Sequence, residues 1–128
     1  MRLQDTGIQV LPEIQMYGGD TTSWRFYMQH ASQAYYSLGE ATGYSANVYI
    51  IPYYMQTGVS INGAPVLTKA ATMKEYDGIA TAEFEFATAD TIALGGKYIY
   101  QIEFIYGTEK RVGQGSLYIH PNINRPTS

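Results

Sequence analysis

Cysteine is absent from the 128 residues. That excludes a disulfide scaffold, a Cys-ligated zinc or iron–sulfur centre, and a thiol nucleophile. Charge is scarce as well: 15% of residues are Asp, Glu, Lys or Arg, where about 25% is usual. Eight basic residues against eleven acidic ones leave a net charge of −3. No basic excess exists to neutralise phosphates, so nucleic acid is not an expected partner. No apolar run approaches the ~20 residues of a membrane-spanning helix, so membrane insertion is not expected. The opening MRLQDTGIQVL has no apolar stretch of signal-peptide length. No N-x-S/T glycosylation sequon occurs.

Catalytic motifs are missing too. The two histidines, His30 and His120, fall in no H-x-H or H-E-x-x-H pattern and read as loop or strand-end residues rather than metal ligands. Gly58-Val59-Ser60-Ile61-Asn62 lacks the last glycine of a nucleophile elbow. Gly113-Gln114-Gly115 opens no helix and so makes no phosphate loop. Glu83 and Glu85 stand on one strand face, about 7 Å apart by the strand rise, a spacing that would suit a glycosidase. They occupy the polar side of an alternating strand, and a solvated pair is the expected reading. Nothing calls for a cofactor or a metal, and no enzymatic activity is expected.

What remains is a pattern of short extended runs. The 13 tyrosines, with abundant Ile, Val, Thr and Gly, suit pleated strands better than helices. Glycine-rich turns separate runs of period-2 alternation. Strands are expected over residues 13–17, 23–29, 44–51, 80–86, 97–106 and 111–119. Residues 66–76 supply a seventh, with a helix as the alternative; Asp77-Gly78 closes it as a hairpin. Residues 88–94 read as one helical turn. The pattern indicates an all-β, immunoglobulin-like antiparallel β-sandwich of about seven strands over 13–120. A non-periodic N-terminal extension occupies 1–12 and a C-terminal tail 121–128. Trp24, Phe26, Phe84, Phe86, Tyr98, Tyr100, Ile102 and Phe104 are the expected core.

The same parity puts Tyr49, Ile51, Ile99, Ile105 and Tyr118 on one outer sheet face. A strand apolar on both faces is usually covered on both, so these five residues are the candidate partner interface. Tyr35-Tyr36 and Tyr53-Tyr54 could instead stack on sugars, and interface aromatics are the competing reading. Ile8, Val10, Leu11 and Ile123 lie in the aperiodic ends, which suggests segments that order on a neighbouring subunit.

A set of motifs in fixed order narrows the choice. Gly19-Asp20-Thr21 opens a strand, Ser37-Leu38-Gly39-Glu40-Ala41-Thr42 turns into the next, Asp77-Gly78 makes a hairpin, and Gly96-Lys97-Tyr98 precedes the penultimate strand. This order resembles the N-terminal immunoglobulin-like domain of phage baseplate upper proteins. Gly96-Lys97-Tyr98 resembles a tyrosine corner, and Tyr100 stands where antibody domains place a cysteine. The resemblance implies a non-enzymatic virion component, made in the bacterial host cytoplasm. Its place would be baseplate, tail or fibre, or capsid decoration. Its partners would be other virion proteins and copies of itself. No coiled coil or receptor-binding part follows the domain, so the chain is expected to be a small freestanding virion protein or an anchoring domain. The alternative is a carbohydrate- or host-surface-binding sandwich.

Overall fold

A computed structural model describes residues 1–3, 7–30, 34–53 and 64–121. Among them run nine strands and one helical turn. They are β1 (Gln9–Val10), β2 (Ile14–Tyr17), β3 (Thr22–Tyr27), β4 (Ser45–Pro52), β5 (Leu67–Ala70), β6 (Thr72–Tyr76), β7 (Ile79–Phe86), α1 (Thr88–Thr91), β8 (Gly96–Tyr106) and β9 (Glu109–His120). The larger sheet runs β1-β9-β8-β4-β5, with β2 also paired to β9; the smaller runs β3-β7-β6. The chain is therefore all-β.

Two expectations about the strands need correction. The sheets are not purely antiparallel: β1 and β2 both run parallel to β9. The single strand expected over 66–76 is two strands in different sheets. β5 pairs with β4, and β6 pairs with β7. The chain changes sheets at Ala71, whose N–H donates to the Ala46 carbonyl at 2.9 Å. Alternation continues across the switch, so periodicity alone does not reveal it. The Asp77-Gly78 hairpin and the helical turn stand as expected. Both turn residues have positive φ, 53° and 77°, the geometry of a tight type I′ connection. The Asp90 carboxylate accepts from the Ala87 N–H at 2.7 Å at the start of α1 and pairs with Lys69 at 2.9 Å. That ion pair ties β5 to the turn that follows β7.

The inward-facing set packs as the parity requires. Trp24, Phe84, Phe86, Tyr98, Tyr100, Ile102 and Phe104 are buried, while Phe26 is half-buried. Trp24 bridges the sheets, with ring centroids 4.6 Å from Phe86 and 5.3 Å from Tyr100. The Tyr98 hydroxyl returns to the backbone upstream. It donates to the Gly95 carbonyl at 3.1 Å and accepts from the Gly95 N–H at 3.2 Å.

Gly113 and Gly115, which suggested no ligand loop, lie in the middle of β9 and have a packing role. A Cβ on Gly115 would sit 2.6 Å from the Tyr100 hydroxyl, and one on Gly113 would sit 2.7 Å from Leu11. Their missing side chains let Tyr100 and Leu11 lie flat against the sheet.

Of the extension expected over 1–12 to order on a neighbouring subunit, the described residues pair with this chain itself. Leu3 is buried in the core, and its N–H donates to the Gln29 carbonyl at 2.9 Å. Gln9 and Val10 form β1. A two-residue strand is too short to show alternation, so its sequence carries no signal. Ile123 and residues 122–128 lie outside the described residues, as does the 58–62 motif.

Candidate interaction surface

The strands carrying the five candidate residues are neighbours in the order β9-β8-β4. Register puts the side chains on one outer face. Ile51 is directly across from Ile99, and Ile105 across from Ser45. Ile105 also faces Lys110, and Tyr118 faces Lys97. Tyr49, Ile51, Ile99 and Ile105 are half-buried and Tyr118 is exposed. The five share a face without forming one patch.

At one end of this face the surface is polar. Gln101 and Glu103 separate Ile99 from Ile105 along β8. The Tyr49 hydroxyl donates to Glu103 at 3.4 Å, and Lys110 approaches the same carboxylate at 3.9 Å. Partial burial raises the Tyr49 pKa, and the Glu103 charge adds to it.

The centre is apolar and grooved. Ile99 and Tyr53 form one wall and Ile8 and Val10 the other, with Gln114 and Ser116 along the floor; the depression holds about 480 Å³. Val10 is 94% exposed and Ile8 66%. Two β-favouring side chains this exposed are out of keeping with a solvated strand. Their apolar character was legible in sequence, but their placement beside Ile99 was not. It depends on the parallel pairing of β1 with β9, which no local pattern announces.

The other end is aromatic. Tyr17 and His120 are paired across β2 and β9, with ring centroids 4.9 Å apart. Tyr118 meets His120 edge-on at 4.7 Å. Lys97 Nζ lies 4.4 Å from the centre of the Tyr53 ring. Of the sugar-stacking candidates, Tyr36 is buried and stacked on His30 at 3.9 Å, Tyr35 is exposed, and Tyr54 lies outside the described residues. Tyr17 was missed. Its signal was the outward parity of residues 13, 15 and 17, visible only once β2 is set beside β9.

The outer face of the smaller sheet corrects another expectation. Glu83 is not solvated; it is 3% exposed. Lys74 donates to it at 2.7 Å and Arg25 at 2.9 Å, and the Tyr76 hydroxyl also donates. The Arg25 guanidinium lies 3.9 Å over the Tyr76 ring. These three donors, Lys74 foremost, hold the Glu83 carboxyl down at about 2. Glu85 stays exposed, with Lys74 at 3.4 Å. Glu83, held by two cations and a hydroxyl, ties β3, β7 and β6 together, while Glu85 stands in water. The histidines do not meet: His30 pairs with Glu40 at 3.1 Å and His120 with Gln15 at 3.1 Å. Among the described residues no group of three or more His, Asp or Glu is arranged to hold a metal. No helix among them is long and apolar enough to cross a membrane.

No protein-family model and no curated protein matches this chain. One solved structure to which the chain shows a distant likeness is an endo-fucoidan hydrolase, MfFcnA4_H294Q, from glycoside hydrolase family 107. It is 7% identical, with a TM-score of 0.45 over 89% of this chain. The chain spans 13% of that protein's length, and a likeness at this level assigns no activity.

Proposed function

We propose that this chain is an immunoglobulin-like assembly module of a phage particle, joined to other virion proteins through the outer face of its larger sheet. Three features support the immunoglobulin-like reading. The smaller sheet has the order β3-β7-β6, an N-terminal strand runs parallel to the last one, and Tyr98 makes the backbone contacts of a tyrosine corner. Trp24 against Tyr100 fills the space between sheets that a disulfide would otherwise bridge.

The observation that carries the assembly role is the apolar groove. Ile8 and Val10 on one wall face Ile99 and Tyr53 on the other, and an exposed apolar concavity with a polar rim marks a protein contact. The virion setting rests on the motif resemblance. The test is incorporation. Mass spectrometry of purified particles from a producing culture should find the wild-type chain. A Val10→Glu/Ile99→Glu double variant, folded with an unchanged melting temperature, should be missing from them. Absence of the wild-type chain refutes the virion role, and incorporation of the variant refutes the groove as the contact.

A further inference from the structure

The aromatic end of the same face goes beyond the assembly role. Register sets Gln15 beside Tyr118 and Tyr17 beside His120 across β2 and β9, and Lys97 beside Tyr118 across β9 and β8. The Tyr53 N–H donates to the Lys97 carbonyl at 3.2 Å, which brings Tyr53 into the same row. Gln15, Tyr118, Lys97 and Tyr53 thus cross four adjacent chain segments. With strands about 4.8 Å apart, Tyr118 and Tyr53 stand roughly 10 Å from each other.

Two of the rings are presented to solvent, while Tyr53 is half-buried with the Lys97 ammonium over its face. Tyr17 is 56% exposed and Tyr118 37%. Contacts on both sides hold His120 between them. Gln15 Oε1 can only accept, so His120 Nε2 carries the proton of their 3.1 Å hydrogen bond. The Gln15 amide N–H pair is then left as a donor group at the edge of the platform. A tyrosine offers an apolar face and a hydroxyl tip together. The chemistry that matches such a row is a sugar ring, with C–H groups on its face and hydroxyls around its rim.

We infer that Tyr17, Tyr118 and Tyr53, with Gln15 and His120, form a binding platform for a neutral glycan chain laid across the strands. Charge selects the neutral class. Lys97 supplies one cation and Glu13, on the same outward parity as Gln15, one carboxylate. The Lys97 ammonium is drawn over the Tyr53 ring. A polyanion would meet Glu13, and a polycation would meet Lys97. The platform is separate from the groove walls Val10 and Ile99 except for Tyr53, so the two roles can be broken one at a time.

The test is titration calorimetry with saturation-transfer NMR, using cellohexaose, laminarihexaose, mannohexaose and xylohexaose, with hexagalacturonate as the charged control. At least one neutral hexaose should bind. Tyr17→Ala and Tyr118→Ala should each weaken it at least tenfold, while Val10→Glu should leave it unchanged. Gln15→Ala, which removes no ring, should weaken it by a smaller factor and covers the case of a tyrosine variant that fails to fold. Failure of every neutral hexaose to bind, wild-type binding by the tyrosine variants, or preference for hexagalacturonate would overturn the inference.

Discussion

Tyr100 joins three parts of the fold, and its hydroxyl can be removed alone. The side chain is fully buried. Its ring meets Trp24 and Phe26 of the smaller sheet and crosses Gly115 of β9. The hydroxyl then donates to the carbonyl of Pro12, between β1 and β2. Desolvation pushes its pKa up to about 12, so it is a neutral donor at every ordinary pH. Tyr100→Phe keeps the ring and removes the hydrogen bond to the Pro12 carbonyl, which costs about 1–1.5 kcal/mol. For a domain of this size the melting temperature should fall by roughly 3–8 °C.

Gly115→Ala tests the same contact from the other side. The new Cβ would lie 2.6 Å from the Tyr100 hydroxyl and 2.7 Å from two ring carbons. An overpacked core of this kind costs about 1–3 kcal/mol. The two changes touch one contact, so they should not add. Without its hydroxyl the ring is free to slide from the new methyl, and the double variant should recover about 0.5–1 kcal/mol of the summed cost. Differential scanning calorimetry on the four proteins gives the cycle directly. A Tyr100→Phe shift of less than about 1 °C, or strict additivity, would show that the ring does not lie between Gly115 and Pro12.

Two further outcomes follow from the buried N terminus and the held-down carboxyls. Leu3→Ala should destabilise by about 2–4 kcal/mol as a core truncation, measured by urea unfolding; a cost near zero would return residues 1–3 to the status of a tail. The Glu83 carboxyl is held below its unfolded value of 4.5 to about 2, and those of Asp90 (by Lys69) and Glu40 (by the Ser37 N–H and His30) are lowered too. Groups with depressed pKa values contribute stability that is present above the unfolded pKa and lost as pH falls. The melting temperature should therefore drop steadily between about pH 4.5 and 2, and Glu83→Gln should flatten that drop while lowering the plateau at neutral pH.

The long strands and the short β2 were legible in sequence, while β1 and the parallel pairing were not, for a physical reason. β7 and β8 are long enough for one face to be wholly apolar, and their inward residues read directly as Phe84, Phe86, Tyr100, Ile102 and Phe104. Parity also put the outward residues Ile51 and Ile99 on one face, and register sets them directly across from each other. Glu83 shows where parity stops. Alternation told which way the side chain points but not what covers it. Its cover comes from Arg25 and Lys74, on strands far apart in the chain. The pairing of β1 and β2 shows the second limit. They are held by parallel pairing to β9, and parallel neighbours are joined by no hairpin whose turn residues could announce them.

That limit bears on how the outer face works. Both of its proposed uses depend on the parallel strands. β1 raises the Ile8–Val10 wall without which Ile99 would lie on an open sheet. β2 brings Tyr17 and Gln15 beside Tyr118 and His120. The four central strands alone would present a face interrupted by Lys97, Gln101, Glu103 and Lys110, with no concavity and a single exposed ring on β9. Tyr100 holds the junction of β1 and β2 through Pro12, so one core hydroxyl positions both the Ile8–Val10 wall and the Gln15–Tyr17 row from the inside. The parallel pairing of the N-terminal strands is thus both the least legible feature of the fold and the one that turns a plain sheet into a surface with a groove and an aromatic platform.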